Sequence, residues 1–419
     1  VVVGNGDNGG DALYAAARLA RRGAGVYAVL MDPGRVHGGG LAALLAAGGR
    51  LVERLPARLD LVLDGLLGIG GRGGLRPPAA ALAAQAAEAR AAGATVVAVD
   101  LPSGVDADTG EVAGAVVTAD VTVTFGAYKP GLLIAPGATH TGAVRLVDIG
   151  LALPAEPALG VLQDPDVAAL LPVPGAESDK YRRGVVGVLA GSGQYPGAAV
   201  LAVAGALRGG AGAVRYVGPA DREVLARFPE TLIGTGRVQA WVAGPGLGDG
   251  RPAEVERLLA RDDVPVLVDA DGLRGLSPEA LRRRTAPTLL TPHAGEAAAL
   301  LGVDRATVEA ERLGRARELA ERYGATVLLK GSTTVVCDPA GRVRVNPTGT
   351  PWLATAGSGD VLSGLAGSLL AAGLAPLDAA SVAAYLHGLA ARHAAAGAPL
   401  TARQVAEALP TAWRTVHHP

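Results

Sequence analysis

The chain has 419 residues, with 38 basic and 39 acidic side chains, a net charge of -1, and 18% charged against 49% hydrophobic residues. That size carries two or three domains with cores of their own, and the composition excludes disorder and gives no electrostatic reason to expect nucleic acid or an anionic membrane as partner. A single cysteine, Cys337, cannot close an internal disulfide, so the fold needs no oxidising compartment.

The chain opens on Val1-Val2-Val3-Gly4 without a methionine or a basic leader. We read this as the end of a buried strand with a segment before it, in a cytoplasmic protein. Apolar runs over 1–3, 26–30, 59–63, 95–99, 121–125 and 144–149 alternate with helical segments over 11–22, 40–47 and 79–92, a pattern of parallel βαβ units. A proline-rich stretch from 151 to 176 follows, and the spacing sets a first domain over 1–152 and a second over 153–419.

Alternation resumes with strands expected over 185–190, 213–217, 238–243, 264–268, 288–291 and 326–329, then a hairpin over 333–337 and 343–345. The remainder reads as helix from Asp360 to Trp413, with His417 and His418 an exposed tail. The uncharged run 184–207 is long enough to span a bilayer, but Gly191-Ser192-Gly193-Gln194-Tyr195-Pro196-Gly197 breaks it into strand, loop and helix. The fold class is therefore α/β throughout.

The chain has only three lysines (Lys129, Lys180, Lys330) and three asparagines (Asn5, Asn8, Asn346), so each survivor marks a place to look for chemistry that Arg, Asp or Gly cannot supply. Two of the asparagines lie in Gly4-Asn5-Gly6-Asp7-Asn8-Gly9-Gly10-Asp11, a strand-to-helix turn whose free amides suit a phosphate. Asp64, Asp100 and the run Asp106-Ala107-Asp108-Thr109 follow strands, at the edge where parallel sheets bind ligands. Each equally suits a turn or helix cap. Oxygens of Asn8, Asp64 and Ser103 would suit a hard cation, and no soft ligand lies near them in the chain.

In the second half, Gly357-Ser358-Gly359-Asp360 opens an apolar helix, so its amides can neutralise a transferring phosphoryl group while Asp360 takes a proton from a hydroxyl. The alternative is an ordinary helix cap. Lys330-Gly331-Ser332-Thr333-Thr334 ends a buried strand with a cation and hydroxyls suited to a diphosphate. His293, in Thr291-Pro292-His293-Ala294-Gly295-Glu296, is either structural or a ligand contact.

The motifs GxGxNGGDxL, DxLLGxG, VDLPSGVDADTG and TFGAYKPGL resemble the epimerase domain of bifunctional NAD(P)H-hydrate repair enzymes. AGSGQYPGAA, GPGLG, TPHAGE, KGSTT and GSGD resemble their ADP-dependent dehydratase domain. The resemblance implies a Rossmann-like domain followed by a ribokinase-like one. In the first, the hydrated dinucleotide would meet Asp7, Asn8, Gly9, Gly10 and Asp11, the loop Gly68, Ile69, Gly70, Gly71, Arg72, Gly73 and Gly74, and Asp100 as catalytic residue. K+ would sit on Asn8, Asp64 and Ser103.

In the second, Gly197, Gly246, His293 and Asp360 would meet the hydrate, with Asp360 catalytic. Lys330, Gly331, Ser332, Thr333, Thr334 and Gly359 would hold ADP with Mg2+. The resemblance also implies a homo-oligomer, with a tetramer expected. Asp7 stands where the family usually has Asn, placing a carboxylate beside the expected phosphates, and Trp352 stands where it usually has Gly. Other readings of the same motifs are a ribokinase-like kinase of a vitamin alcohol and a nucleotide sensor with a decayed epimerase half.

Overall fold

A computed structural model describes residues 1–248, 252–261 and 263–417. The chain divides into two units, Val1–Pro157 and Ala158–Pro419.

In the first unit the strands are β1 (Val2–Val3), β2 (Tyr27–Leu30), β3 (Arg50–Leu51), β4 (Leu61–Gly65), β5 (Thr95–Val99), β6 (Val121–Phe125) and β7 (Ala143–Val147). They pair in parallel in the order β3-β2-β1-β4-β5-β6-β7. Because side chains alternate along a strand, Val62, Val96 and Ala98 join Val2 on one face, while Val3, Leu63 and Val99 build the other. Helix Pro77–Ala91 covers the first face with Leu82, Ala83 and Ala86, and helix Asp7–Arg21 covers the second with Ala12, Leu13, Ala16 and Ala17. This is a Rossmann-like order, reversing between β1 and β4, and such reversals open a crevice at the carboxyl ends of the strands.

The second unit adds β8 (Val185–Leu189), β9 (Ala213–Val217), β10 (Leu232–Ile233), β11 (Ala240–Ala243), β12 (Val266–Val268), β13 (Thr288–Leu290), β14 (Thr326–Leu329), β15 (Thr334–Cys337) and β16 (Val343–Asn346). Their order is β10-β9-β8-β11-β12-β13-β14-β15-β16, parallel as far as β14 and closed by the antiparallel pair β15 and β16. The reversal falls between β8 and β11.

Helix Ser358–Ala371 is buried from Val361 onward. It approaches helix Pro196–Arg208 so closely that a β-carbon on Gly364 would lie 2.0 Å from the Ala202 carbonyl oxygen, and one on Gly205 2.1 Å from that of Val361. The uncharged residues 361–371 thus lie in a core helix. Among the described residues no helix is long and apolar enough to cross a membrane. His417 ends the last helix, Ala402–His417, and His418 lies outside the described residues.

Candidate active sites

In the first unit the helix begins at Asp7, four residues before the expected start at Asp11, so Asn8, Gly9 and Gly10 lie in its first turn. Close packing explains this. A β-carbon on Gly4 would lie 1.8 Å from the Leu66 carbonyl oxygen, and one on Gly9 2.4 Å from that of Gly4. Asp7 and Asp11 are exposed along this amino end, where the helix dipole favours a carboxylate. Burial, then the charges of Asp7 and Asp100, raises the Asp11 carboxyl above its ordinary value.

Asp64, on β4, is fully buried. Its Oδ1 accepts from Ser103 Oγ at 2.7 Å and Leu66 N at 3.2 Å, and its Oδ2 from Ser103 N at 2.8 Å. Burial nevertheless holds the Asp64 pKa above its ordinary value. Ser103 Oγ also accepts from Leu67 N at 2.9 Å, which fixes the start of the 68–74 loop. Asn8 stands over that loop, since a β-carbon on Gly68 would come within 3.3 Å of its Oδ1. Asn8 Nδ2 and Asn5 Oδ1 are buried with no hydrogen-bond partner.

Asp100 follows β5 at φ 68°, unusual for a residue other than glycine. Lys129 Nζ donates to Asp100 Oδ1 at 2.5 Å, to Thr124 Oγ1 at 2.8 Å and to the Phe125 carbonyl at 2.9 Å. Of the expected loop, Ile69, Gly70, Arg72, Gly73 and Gly74 are exposed, Gly68 and Gly71 half-buried. Arg72 is tethered to Asp106 at 3.3 Å and Asp108 at 2.8 Å. Asp106 itself shapes a turn, accepting from Asp108 N and from Thr109 N and Oγ1.

In the second unit the sites gather at the carboxyl edge around Lys330, which follows β14. Its Nζ lies 2.6 Å from Asp269 Oδ1 and 3.7 Å from Glu296 Oε2. Asp269, which follows β12, is 1% exposed and accepts at Oδ2 from Ser363 Oγ at 2.6 Å. Burial alone would lower the Lys330 pKa, but the charges of Asp269 and Glu296 outweigh it and raise it. A β-carbon on Gly359 would sit 3.5 Å from Lys330 Nζ.

Asp360 stands one residue on, in the first turn of helix Ser358–Ala371, with Gly357 before it at φ 85°. Burial, then the charge of Asp269, pushes the Asp360 carboxyl up to about 7 against the pull of Lys330, with Asp271 and Glu296 adding to the rise. His387 Nε2 meets the Ser358 carbonyl at 2.9 Å, and burial drives its pKa down to about 4, so the neutral ring donates to that carbonyl.

The loops after β8 and β11 also meet: Gly191 N donates to the Pro245 carbonyl at 2.7 Å, and a β-carbon on Gly246 would lie 2.6 Å from Ala198 Cβ. Gly197 is exposed beside them. His293 caps helix Ala294–Leu301 in a reciprocal pair with Glu296, which places it one residue from Lys330 through that carboxylate. Of the residues expected to hold ADP, Gly331 and Ser332 are exposed, Thr333 is buried, and Thr334 begins β15. Arg312 Nη2 donates to the Lys330 carbonyl at 2.6 Å.

Sequence reasoning passed over Asp269, Glu296, Ser363 and His387. Asp269 carries the same signal as Asp64 and Asp100, an acid directly after a buried strand. Ser363 and His387 are interior helix residues and carry none. Asn346 is structural: its Nδ2 donates to the Ala384 carbonyl and its Oδ1 accepts from Thr348. Lys180 lies over the Tyr181 ring, 5.4 Å from its centroid. Trp352 is 43% exposed.

The NAD(P)H-hydrate dehydratase family matches residues 186–411, and the family of YjeF-related protein N-termini matches residues 1–131. The bifunctional NAD(P)H-hydrate repair enzyme Nnr of Mycobacterium leprae is 53% identical over 403 residues, covering 94% of this chain and 83% of that protein. The enzyme of that name from Corynebacterium glutamicum is 38% identical, covering 98% and 88%. Among solved structures, the ADP/ATP-dependent NAD(P)H-hydrate dehydratase of Bacillus subtilis, co-crystallised with ATP/Mg2+, is 31% identical with a TM-score of 0.57, covering 61% of this chain and 97% of that one.

Proposed function

Because the chain belongs to the family of bifunctional NAD(P)H-hydrate repair enzymes, we propose that its two units divide the repair of hydrated NADH and NADPH between them. The first interconverts the R and S epimers at C6, and the second dehydrates the S epimer at the expense of ADP. The observation that carries this reading is the convergence of Asp360, Lys330 and the amino end of helix Ser358–Ala371 on one sheet edge.

Asp360, with a pKa near neutrality, takes the proton of the C6 hydroxyl as that oxygen bonds to the β-phosphorus of ADP. The bond to AMP breaks, and the amides of residues 357–359 with Lys330 meet the charge of the transferring group. The phosphate ester then leaves as inorganic phosphate with the neighbouring ring proton, restoring the dihydropyridine. Phosphate is a good leaving group, so this step needs no further strong acid. Residues 330–334 and Gly359 would hold ADP, and Mg2+ bound with it would supply positive charge against the diphosphate. Gly197, Gly246 and His293 line the same edge for the hydrate.

For the first unit, Asp100 is the residue we place against the reacting carbon, and Asp7 to Asp11 with the 68–74 loop against the dinucleotide. The residues fit a potassium ion: Asp64 and Ser103 bring hard oxygens together, and the buried Asn8 Nδ2, which has no partner, would give its place to the amide oxygen after a simple amide turn. Asn8, Asp64 and Ser103 would hold it and so fix the 68–74 loop. An unpaired, buried thiol at Cys337 and a reduced dinucleotide substrate suit the cytoplasm. A homo-oligomer, which sedimentation would read, rests on the resemblance alone.

The deciding experiment supplies the purified protein with ADP and separated epimers of hydrated NADH and follows the reduced-nicotinamide absorbance. We expect immediate recovery from the S epimer and slower recovery from the R epimer. No recovery with ADP or ATP would sink the dehydratase reading and favour a nucleotide sensor.

A further inference from the structure

We propose that Asp269 is a positioning residue of the phosphoryl-transfer site, one carboxylate that locks Lys330 and the helix carrying Asp360 into a single arrangement before nucleotide arrives. This rests on the dehydratase reading above. The two oxygens of Asp269 reach partners 61 and 94 residues away in the chain: Lys330 Nζ at 2.6 Å and Ser363 Oγ at 2.6 Å. Lys330 follows β14, two strands from β12, and Ser363 lies in the second turn of helix Ser358–Ala371. The carboxylate thus spans the two walls between which a diphosphate would lie.

The Asp269 main chain is equally fixed. Its N–H donates to the Ala243 carbonyl at 3.0 Å and its own carbonyl accepts from Gly272 N at 3.0 Å. That carbonyl oxygen also lies 1.8 Å from where a β-carbon on Gly244 would stand, which with φ 128° at Gly244 demands glycine there. A side chain on so rigid a strand end holds its partners more accurately than one on a loop would. The ion pair is also what keeps a mostly buried ammonium charged and aimed, since a lone buried cation is costly. Gly359, 3.5 Å from Lys330 Nζ and 3.9 Å from Asp269 Oδ2 at its missing β-carbon, brings the amide end of the helix against the pair.

Asp269 also sets the charge that Asp360 feels. The groups facing Asp360 are Asp269 and Asp271 after β12, Glu296 on helix Ala294–Leu301 and Lys330 after β14, with His387 across the Ser358 carbonyl and held neutral. Replacing the Asp269 charge with an amide removes the strongest of the negative neighbours. Asp360 then ionises at lower pH, a change that loss of shape alone does not produce.

The test compares wild type, Asp269→Asn and Ser363→Ala in ADP-driven recovery of reduced nicotinamide across pH, with epimer exchange by the other unit as internal control. For Asp269→Asn we expect kcat/KM to fall roughly 100-fold, the size of effect that small misplacement of a catalytic group produces, with the acid limb of the profile moved to lower pH. For Ser363→Ala, which keeps the charge and loosens only the helix, we expect a loss on the order of tenfold, well below that effect, with the acid limb in place. A folded Asp269→Asn protein with a wild-type rate, or with a lowered rate and an unmoved limb, overturns the proposal. Should Asp269→Asn not fold, a wild-type rate in Ser363→Ala overturns it. An inactive wild type fails the dehydratase reading instead, and so is told apart.

Discussion

Ser103 gives Asp64 both its hydroxyl and its amide, at 2.7 and 2.8 Å, across 39 residues of chain. The pair fastens the loop after β5 to the end of β4 and, through Leu67 N, to the start of the expected substrate loop. Ser103→Ala removes one donor from a fully buried carboxylate and should cost about 1–3 kcal/mol, the usual penalty for an unsatisfied buried group. We expect an earlier first transition in urea unfolding and a loss of epimer exchange, while ADP-driven dehydration of the S epimer stays at its wild-type rate. If both activities fell together, the pair would be holding more than its own unit.

The potassium ion we propose at Asn8, Asp64 and Ser103 gives a second handle on the same place. At constant ionic strength, replacing K+ by choline should slow epimer exchange and leave dehydration of the S epimer untouched. A rate of exchange indifferent to the cation would remove potassium from Asn8, Asp64 and Ser103.

Asp100 is the residue for which an amide is the informative substitution. Asn tolerates positive φ better than most side chains, so Asp100→Asn should keep the backbone at φ 68° while removing the charge that Lys129 meets. Epimer exchange should drop by a factor of roughly 100 or more, the range for losing a group that moves a proton. NMR or chiral separation of the two epimers with time reads this directly. An unchanged rate would take Asp100 out of the reaction.

The strand pattern was readable because fully buried parallel strands are short runs of Val, Leu and Ala, and β5, β6, β9 and β14 fall where the runs fall. The two-residue strands β3 and β10 escaped because Arg50–Leu51 and Leu232–Ile233 are too short to show a period. Asp64, Asp100 and Lys330 were legible as polar residues at strand ends, and Asp269 carried that same mark. What could not be read is partnership. Nothing near Ser363 announces an oxygen of Asp269 94 residues away, and nothing in the glycines of the first turn distinguishes close packing from an open phosphate seat.

Asp360 sets the expected pH response of the second reaction. Its carboxyl, pushed up to about 7 by burial and by Asp269, must be ionised if it is to accept the hydroxyl proton as we propose. The rate of dehydration should therefore fall as pH drops through about 7 and level off above it, whereas an ordinary carboxylate would hold the rate to below pH 5. Asp360→Asn should abolish dehydration and spare epimer exchange. Recovery in that variant would assign the proton transfer elsewhere.

His387 links stability to pH in the opposite part of the range. Its folded pKa, about 4, lies below the ordinary value of 6.5 because the ring is buried, so the unfolded chain binds the proton more readily. The stability held by the neutral ring is complete above pH 6.5 and is lost as pH falls from there toward 4. The difference corresponds to about 3 kcal/mol at its limit. In the folded state the neutral Nε2–H donates to the Ser358 carbonyl, at the start of the helix that carries Asp360. A glutamine can donate there through its amide without titrating. His387→Gln should therefore flatten the decline in denaturation midpoint between pH 6.5 and 4 while keeping most of the activity at pH 8. An equally steep decline in both proteins would show that other groups carry the acid sensitivity of this unit.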